Sequence, residues 1–263
     1  MSRAVKEQPK RLLKEPLFVQ NSFSVVFARQ QDIRKRVNSF EDVLSSSYKQ
    51  PQILNIPDDF QPEIPRITFN STHGYSQIVI SQISITLNVN YSLDWQDNIS
   101  LGKSYLSERA PSIFELLNTI KHQGKSIRPY YCGLITLARI PSELDDTRLL
   151  EFLANYLSAD IKSRETQDIQ RKITSIVHNK YFSNLTVENY RTWQIDDMPL
   201  GMIKLPRADA KERGIQVTGD FNDRYAFQEK RSYHSSLEEG SKITLLGLQQ
   251  IEETIAAIQE RAR

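Results

Sequence analysis

The chain has 263 residues, 39 % of them hydrophobic and 25 % charged, with one cysteine and nine glycines. That length can bury a sizeable core in one large or two small domains, and the single Cys132 excludes an intramolecular disulfide and any multi-cysteine metal site. Nine glycines is about half the usual share, which argues against glycine-rich phosphate loops, and a formal charge of +2 is too small for a broad nucleic-acid footprint.

In chain order, residues 1–15 carry Arg3, Lys6, Lys10, Arg11 and Lys14 against Glu7 and Glu15, a net of +3 that leaves −1 for the remainder. With no sustained apolar period they are expected to form a flexible basic tail. No apolar run approaches the ~20 residues of a membrane span and no signal-peptide core is visible, so the expectation is a cytoplasmic protein without a membrane partner. Phe23, Val25 and Phe27 then alternate as a strand, and Ile33, Val37, Phe40 and Leu44 recur at helical spacing. Pro51, Pro57, Pro62 and Pro65 exclude both a helix and a central strand between residues 47 and 65.

Residues 65–95 hold three alternating β-branched runs: Ile67 and Phe69, then Ile78 and Ile80, then Ile83, Ile85, Leu87, Val89 and Tyr91. Parallel strands need a crossover of a dozen or more residues, so joins this short predict an antiparallel meander. A helix follows over about 104–123, with Ile113, Leu117 and Ile120 inward and Gly124 as its stop; Pro111, best tolerated in a first turn, offers a later start as the alternative.

The second half opens on YYCGLITLARI at Tyr130, the most apolar strand candidate. Ser142 to Asp145 reads as a capping box ahead of a helix marked by Leu149, Leu153, Tyr156 and Leu157. Two alternating segments, about 172–182 and 185–195, joined by Ser183-Asn184, precede an irregular stretch and a last strand over 214–221, which Tyr225 and Phe227 could extend. The longest helix, near 241–261, carries Leu245, Leu248, Ile251, Ile255 and Ile258. Its spacing suits burial on a sheet and equally a coiled-coil seam in a homodimer.

Both halves thus read strand, helix, three strands, helix. The expected fold class is α+β: antiparallel sheet or sheets from two pseudo-repeated units, residues 16–125 and 126–263, with the helices packed on one face. The order of PRITFN, IVISQISITLNVNY, DW, GLITLARIP and GIQVTGDF resembles a family of sporadically distributed bacterial proteins with no established function. Ile78, Ile80, Ile85, Leu87 and Asn88 carry that likeness, which rests on strand patterns and implies no activity.

His73, His122, His178 and His234 lack metal-ligand spacing, and no phosphate-loop, dinucleotide or nucleophile-elbow motif is present. No metal and no cofactor are expected. The late hairpin is the candidate partner-binding surface, because Lys172, Lys180 and Arg191 interleave with Tyr181, Tyr190 and Trp193, and cations among aromatics on a sheet can stack bases or grip a partner. The sequence therefore points to a non-enzymatic binding protein for a protein or peptide, through the sheet or the seam between the halves. Nucleic acid, through the basic tail and late hairpin, is the other partner class. The alternative is a metal-dependent hydrolase or nuclease, which requires at least three of Asp58, Asp196, Asp220, Asp223, Glu229, His178 and His234 to converge in one cleft.

Overall fold

The computed structural model describes residues 12–122, 124–158, 166–194 and 205–262. The first half supplies β1 (Leu17–Phe27), α1 (Val37–Leu44), β2 (Gln52–Ile53), β3 (Ile67–Asn70), β4 (Ser76–Ile80), β5 (Ser84–Asn90), α2 (Leu93–Gln96) and α3 (Ile99–Thr119). A small hairpin, β6 (Lys121–His122) and β7 (Lys125–Ser126), leads to the second half. That half holds β8 (Pro129–Pro141), α4 (Asp146–Leu157), β9 (Gln170–Val177), β10 (Tyr181–Thr192), β11 (Glu212–Asn222), α5 (Arg224–Glu229) and α6 (Leu237–Arg261).

Nine strands form one sheet in the order β2-β3-β4-β5-β1-β8-β11-β10-β9, and every neighbouring pair is antiparallel. Outward from the central β1–β8 pair, each side runs through the last, middle and first strand of its own meander. This is an α+β fold. The alternation puts Phe23, Val25, Ile78, Ile80, Leu87, Leu134, Ala138, Val217 and Phe221 on one buried face, which α3, α4 and α6 cover. The other face carries hydroxyls and amides paired across strands, such as Ser22 with Asn88 and Ser24 with Thr86; an antiparallel sheet wet on one side alternates in this way. No helix among the described residues is long and apolar enough to cross a membrane.

Several boundaries differ from expectation, each for a physical reason. The α3 helix begins twelve residues before Pro111, because the Asn98 side chain caps it by accepting from Ser100 N and Leu101 N. Leu106, Ala110, Ile113, Phe114 and Leu117 are buried on both sides of the proline, and that burial outweighs the one backbone donor it removes. The helix ends at Thr119, and Gly124, at φ +79°, turns the small β6–β7 hairpin instead. Asp145, not Ser142, caps α4, accepting from Arg148 N at 3.0 Å.

The β9–β10 turn falls at His178-Asn179, both at positive φ, as a hairpin twisting with its strands requires. Ser183 and Asn184 therefore lie inside β10. Tyr225 and Phe227 belong to α5 rather than to a strand. Helix α6 starts at Leu237, and its buried line runs through Ile243, Leu248, Ile251, Ile255 and Ile258, leaving Leu245 62 % exposed. Gly240 lets it lie close: an added Cβ would stand 2.9 Å from Phe114 and 3.0 Å from Phe23. Of the stripe that suited a dimer seam, Leu248, Ile251, Ile255 and Ile258 are thus covered within the chain, where α6 packs on β8 and β11.

Of the expected basic tail, residues 1–11 lie outside the described residues. Leu13 is buried at 5 % exposure and joins the core, so residues 12–15 are part of the packed body.

Candidate functional site: a cationic cleft at the end of the central strand pair

Phe27 and Pro129 face each other at one end of the β1–β8 pair. Beyond them the two segments part. The one after β1 runs along the β4–β5 turn, through Phe27 N to Ile83 O and Gln30 N to Gln82 O, at 2.9 and 2.8 Å. The one before β8 is held by its own hairpin, with Ile127 N donating to Ile120 O at 3.1 Å. Between residues 28–30 and 125–130 lies an open cleft of about 950 Å³. Arg29, Lys125, Arg128 and His234 line it, and no carboxylate does among the described residues. A smaller cleft of about 490 Å³ shares Ser126, Ile127 and Arg128 and runs between α3 and the start of α6.

The Arg29 guanidinium is fixed in place. Its Nε donates to Gln82 Oε1 at 3.0 Å and its Nη2 to the Asp58 carbonyl at 2.8 Å. His234 is held by the next residue's backbone, Ser235 N donating to Pro129 O at 3.1 Å, and its Nδ1 lies 3.3 Å from the same carbonyl.

A buried polar network anchors that wall. Asp223 accepts from Cys132 N at 2.7 Å, Tyr233 OH at 2.6 Å and Ser235 Oγ at 2.6 Å. Because the Ser235 proton goes to Asp223, the Cys132 thiol is the donor in its 2.9 Å contact with Ser235 Oγ. Burial pushes the Asp223 carboxyl above its ordinary range, and the three donors only partly offset this. Burial, then the Asp223 charge, also raises the Cys132 thiol well above its usual value, so it stays protonated and unreactive. Ser235 and Tyr233 both donate to Asp223, which also accepts from Cys132 N, so the network fastens residues 233–235 to β8.

The six residues singled out in the late hairpin divide between the two faces and the strand ends. Lys172 is exposed on the open face of β9, opposite Thr186. Tyr190 shares that face but is buried, its hydroxyl donating to Glu212 at 2.7 Å and the Arg139 guanidinium 4.8 Å above its ring. Tyr181 and Arg191 point to the helix side. Tyr181 is buried and donates to Glu239, to which Lys180 also pairs. Arg191 makes a two-pronged pair with Asp146 at 2.6 and 2.9 Å and a third bond to Asp168. Trp193 lies past the end of β10 and donates to Pro206 O at 2.9 Å. Lys180 and Tyr181 come together on Glu239; the other four do not join them.

The seven residues named for the hydrolase alternative are spread likewise. Asp58 pairs with Arg34 in the first half, Asp220 bonds Asn184 and Asn222, and Asp223 is buried in its own network. His178 sits in the β9–β10 turn, Glu229 ends α5, and Asp196 lies outside the described residues. Among the described residues no three His, Cys, Asp or Glu side chains are grouped to hold a metal.

Arg29, Lys125 and Arg128 escaped sequence reasoning, because they are ordinary polar residues until β1 pairs with β8, and His234 was named there only for the hydrolase alternative. Glu239 was findable: Ser236-Leu-Glu-Glu239 has capping-box spacing, and Glu239 N does donate to Ser236 Oγ at 3.2 Å, although its carboxylate goes to Tyr181 and Lys180 instead of back to Ser236. No family model matches the chain, and no curated protein matches its sequence.

Proposed function

We propose that this chain is a non-enzymatic binding protein that holds an anionic partner in the cleft at the seam of its two halves, residues 16–125 and 126–263, which this reading treats as pseudo-repeats. The observation that carries the proposal is the composition of the cleft: the cations Arg29, Lys125 and Arg128, with His234 beside them, around about 950 Å³, with no lining carboxylate among the described residues. Cations gathered in a concavity focus their field on whatever enters it, and the volume falls in the range of ligand sites, ~300–1,000 Å³. Arg29 is already positioned by Gln82 and Asp58, which lowers the ordering cost of binding.

The reading is tested with fluorescent polyglutamate and the double variant Lys125→Glu/Arg128→Glu. Wild type binds in a salt-dependent way and the variant loses at least tenfold in affinity, with an unchanged melting temperature. Equal binding by both proteins would place the anion elsewhere and remove the support for the cleft.

A further inference from the structure

The two ends of the β1–β8 pair are built from the same parts, a segment that leads into one strand and a segment that leaves the other. At the far end they close on each other. Leu13 bridges Ser142, Lys14 N donates to Pro141 O at 2.8 Å, and Glu143 N donates to Leu12 O at 3.2 Å. Leu13 is driven into the core, and Lys14 pairs with Glu143 at 2.7 Å. At the near end the corresponding segments, 125–128 and 28–30, stand apart across the cleft.

Resting on the cleft reading above, we infer that the anionic partner is an extended acidic peptide segment, laid between residues 28–30 and 125–128 as residues 12–14 are laid against 141–143. The closed end shows the geometry such an occupant takes: extended backbone, one apolar side chain turned inward, one charge paired outward. The open end offers the complements. Ala28 and Ile127 give an apolar patch for the inward side chain, and Lys125 and Arg128 give charge for acidic neighbours. A single-stranded nucleic acid fits less well. The Tyr130 ring, the aromatic group of the cleft, is stacked on Phe227 at 4.9 Å and half-buried, so it makes a poor platform for bases.

The test selects displayed random twelve-residue peptides on the full chain and measures the clones against wild type, Lys125→Glu/Arg128→Glu and the milder Lys125→Gln/Arg128→Gln. Oligo-dT of twelve nucleotides and inorganic phosphate serve as the competing probes. The inference expects clones rich in Asp and Glu around an apolar residue. Their affinity should fall at least tenfold in the charge-reversed protein and less in the neutral one, and bound peptide should slow amide exchange at 28–30 and 125–128. If oligo-dT or phosphate binds in a Lys125- and Arg128-dependent way and no peptide does, the peptide inference is overturned while the cleft reading stands. If no probe distinguishes the three proteins, both fall.

Discussion

The closed and open ends of the central strand pair differ in one respect that decides the rest. At the closed end the chain satisfies its own edges: Leu13 is buried, and the backbones of residues 12–14 and 141–143 bond to each other. At the open end each segment is bonded away from the cleft, to Gln82 on one side and Ile120 on the other, and the surface between them collects cations. Like charges gathered in one concavity repel and do not stabilise a fold. The same architecture is thus completed internally at one end and left open, at some electrostatic cost, at the other.

The largest expected effect lies under the open end. Asp223→Ala would leave Cys132 N–H and the Tyr233 and Ser235 hydroxyls without their acceptor. A buried donor left unpaired costs ~1–3 kcal/mol, so the variant should lose about 3 kcal/mol or more, read as a drop of roughly 6–12 °C in melting temperature. A drop under about 2 °C would mean that the network does not hold the 233–235 wall. Next comes the contrast itself. Leu13→Ala should cost about 2 kcal/mol, at the low end of buried leucine truncations, whereas Ile127→Ala, half-buried at the cleft, should cost under ~1 kcal/mol. Equal costs by chemical denaturation would break the distinction between the ends.

A pH series sharpens the picture of the open end's foundation. Burial holds the folded Asp223 carboxyl above its unfolded value, so the folded protein binds more protons than the unfolded chain over that interval. Its contribution is therefore complete below the unfolded value and is lost as pH rises through the folded one. The stability of wild type relative to Asp223→Asn should improve as pH falls from the raised folded value toward the unfolded one at about 4, and level off below it; a difference that shrinks on acidification contradicts the assignment. The smallest effect is on stability at the cleft wall. Lys125→Glu/Arg128→Glu should unfold within ~0.5 kcal/mol of wild type, because surface charges away from packed features rarely matter more.

Much of the fold was legible because strands with one buried face announce themselves by period. Ile67, Phe69, Ile78, Ile80, Ile85 and Leu87 could be assigned to a meander from spacing alone, while the order of elements left one antiparallel sheet or two open. Boundaries set by single caps or by tertiary burial were harder. Nothing local says that Asn98 starts a helix able to carry Pro111, or that α6 turns Leu245 outward in favour of Ile243 and Leu248. In the late hairpin, a turn at His178-Asn179 places Tyr181 and Arg191 toward the helices and Lys172 and Tyr190 on the opposite face. A basic and aromatic list therefore does not become a basic and aromatic surface. Asn179 was the available signal, since asparagine tolerates positive φ better than most residues. The cleft was invisible for a simpler reason. Its cations come from positions 29, 125 and 128, which the antiparallel pairing of β1 with β8 brings together, and His234 joins them through the Ser235 contact with Pro129.

Amide hydrogen exchange compares the two ends most directly. In the free protein the account predicts slow exchange at Lys14 and Glu143, whose amides bond across the closed end, and fast exchange at Arg29 and Arg128 on the walls of the cleft. A ligand whose binding depends on Lys125 and Arg128 should slow the second pair and leave the first unchanged. Arg29 and Arg128 already as protected as Lys14 in the free protein, or a ligand that slows only the closed end, would contradict the claim that the open end is the binding site.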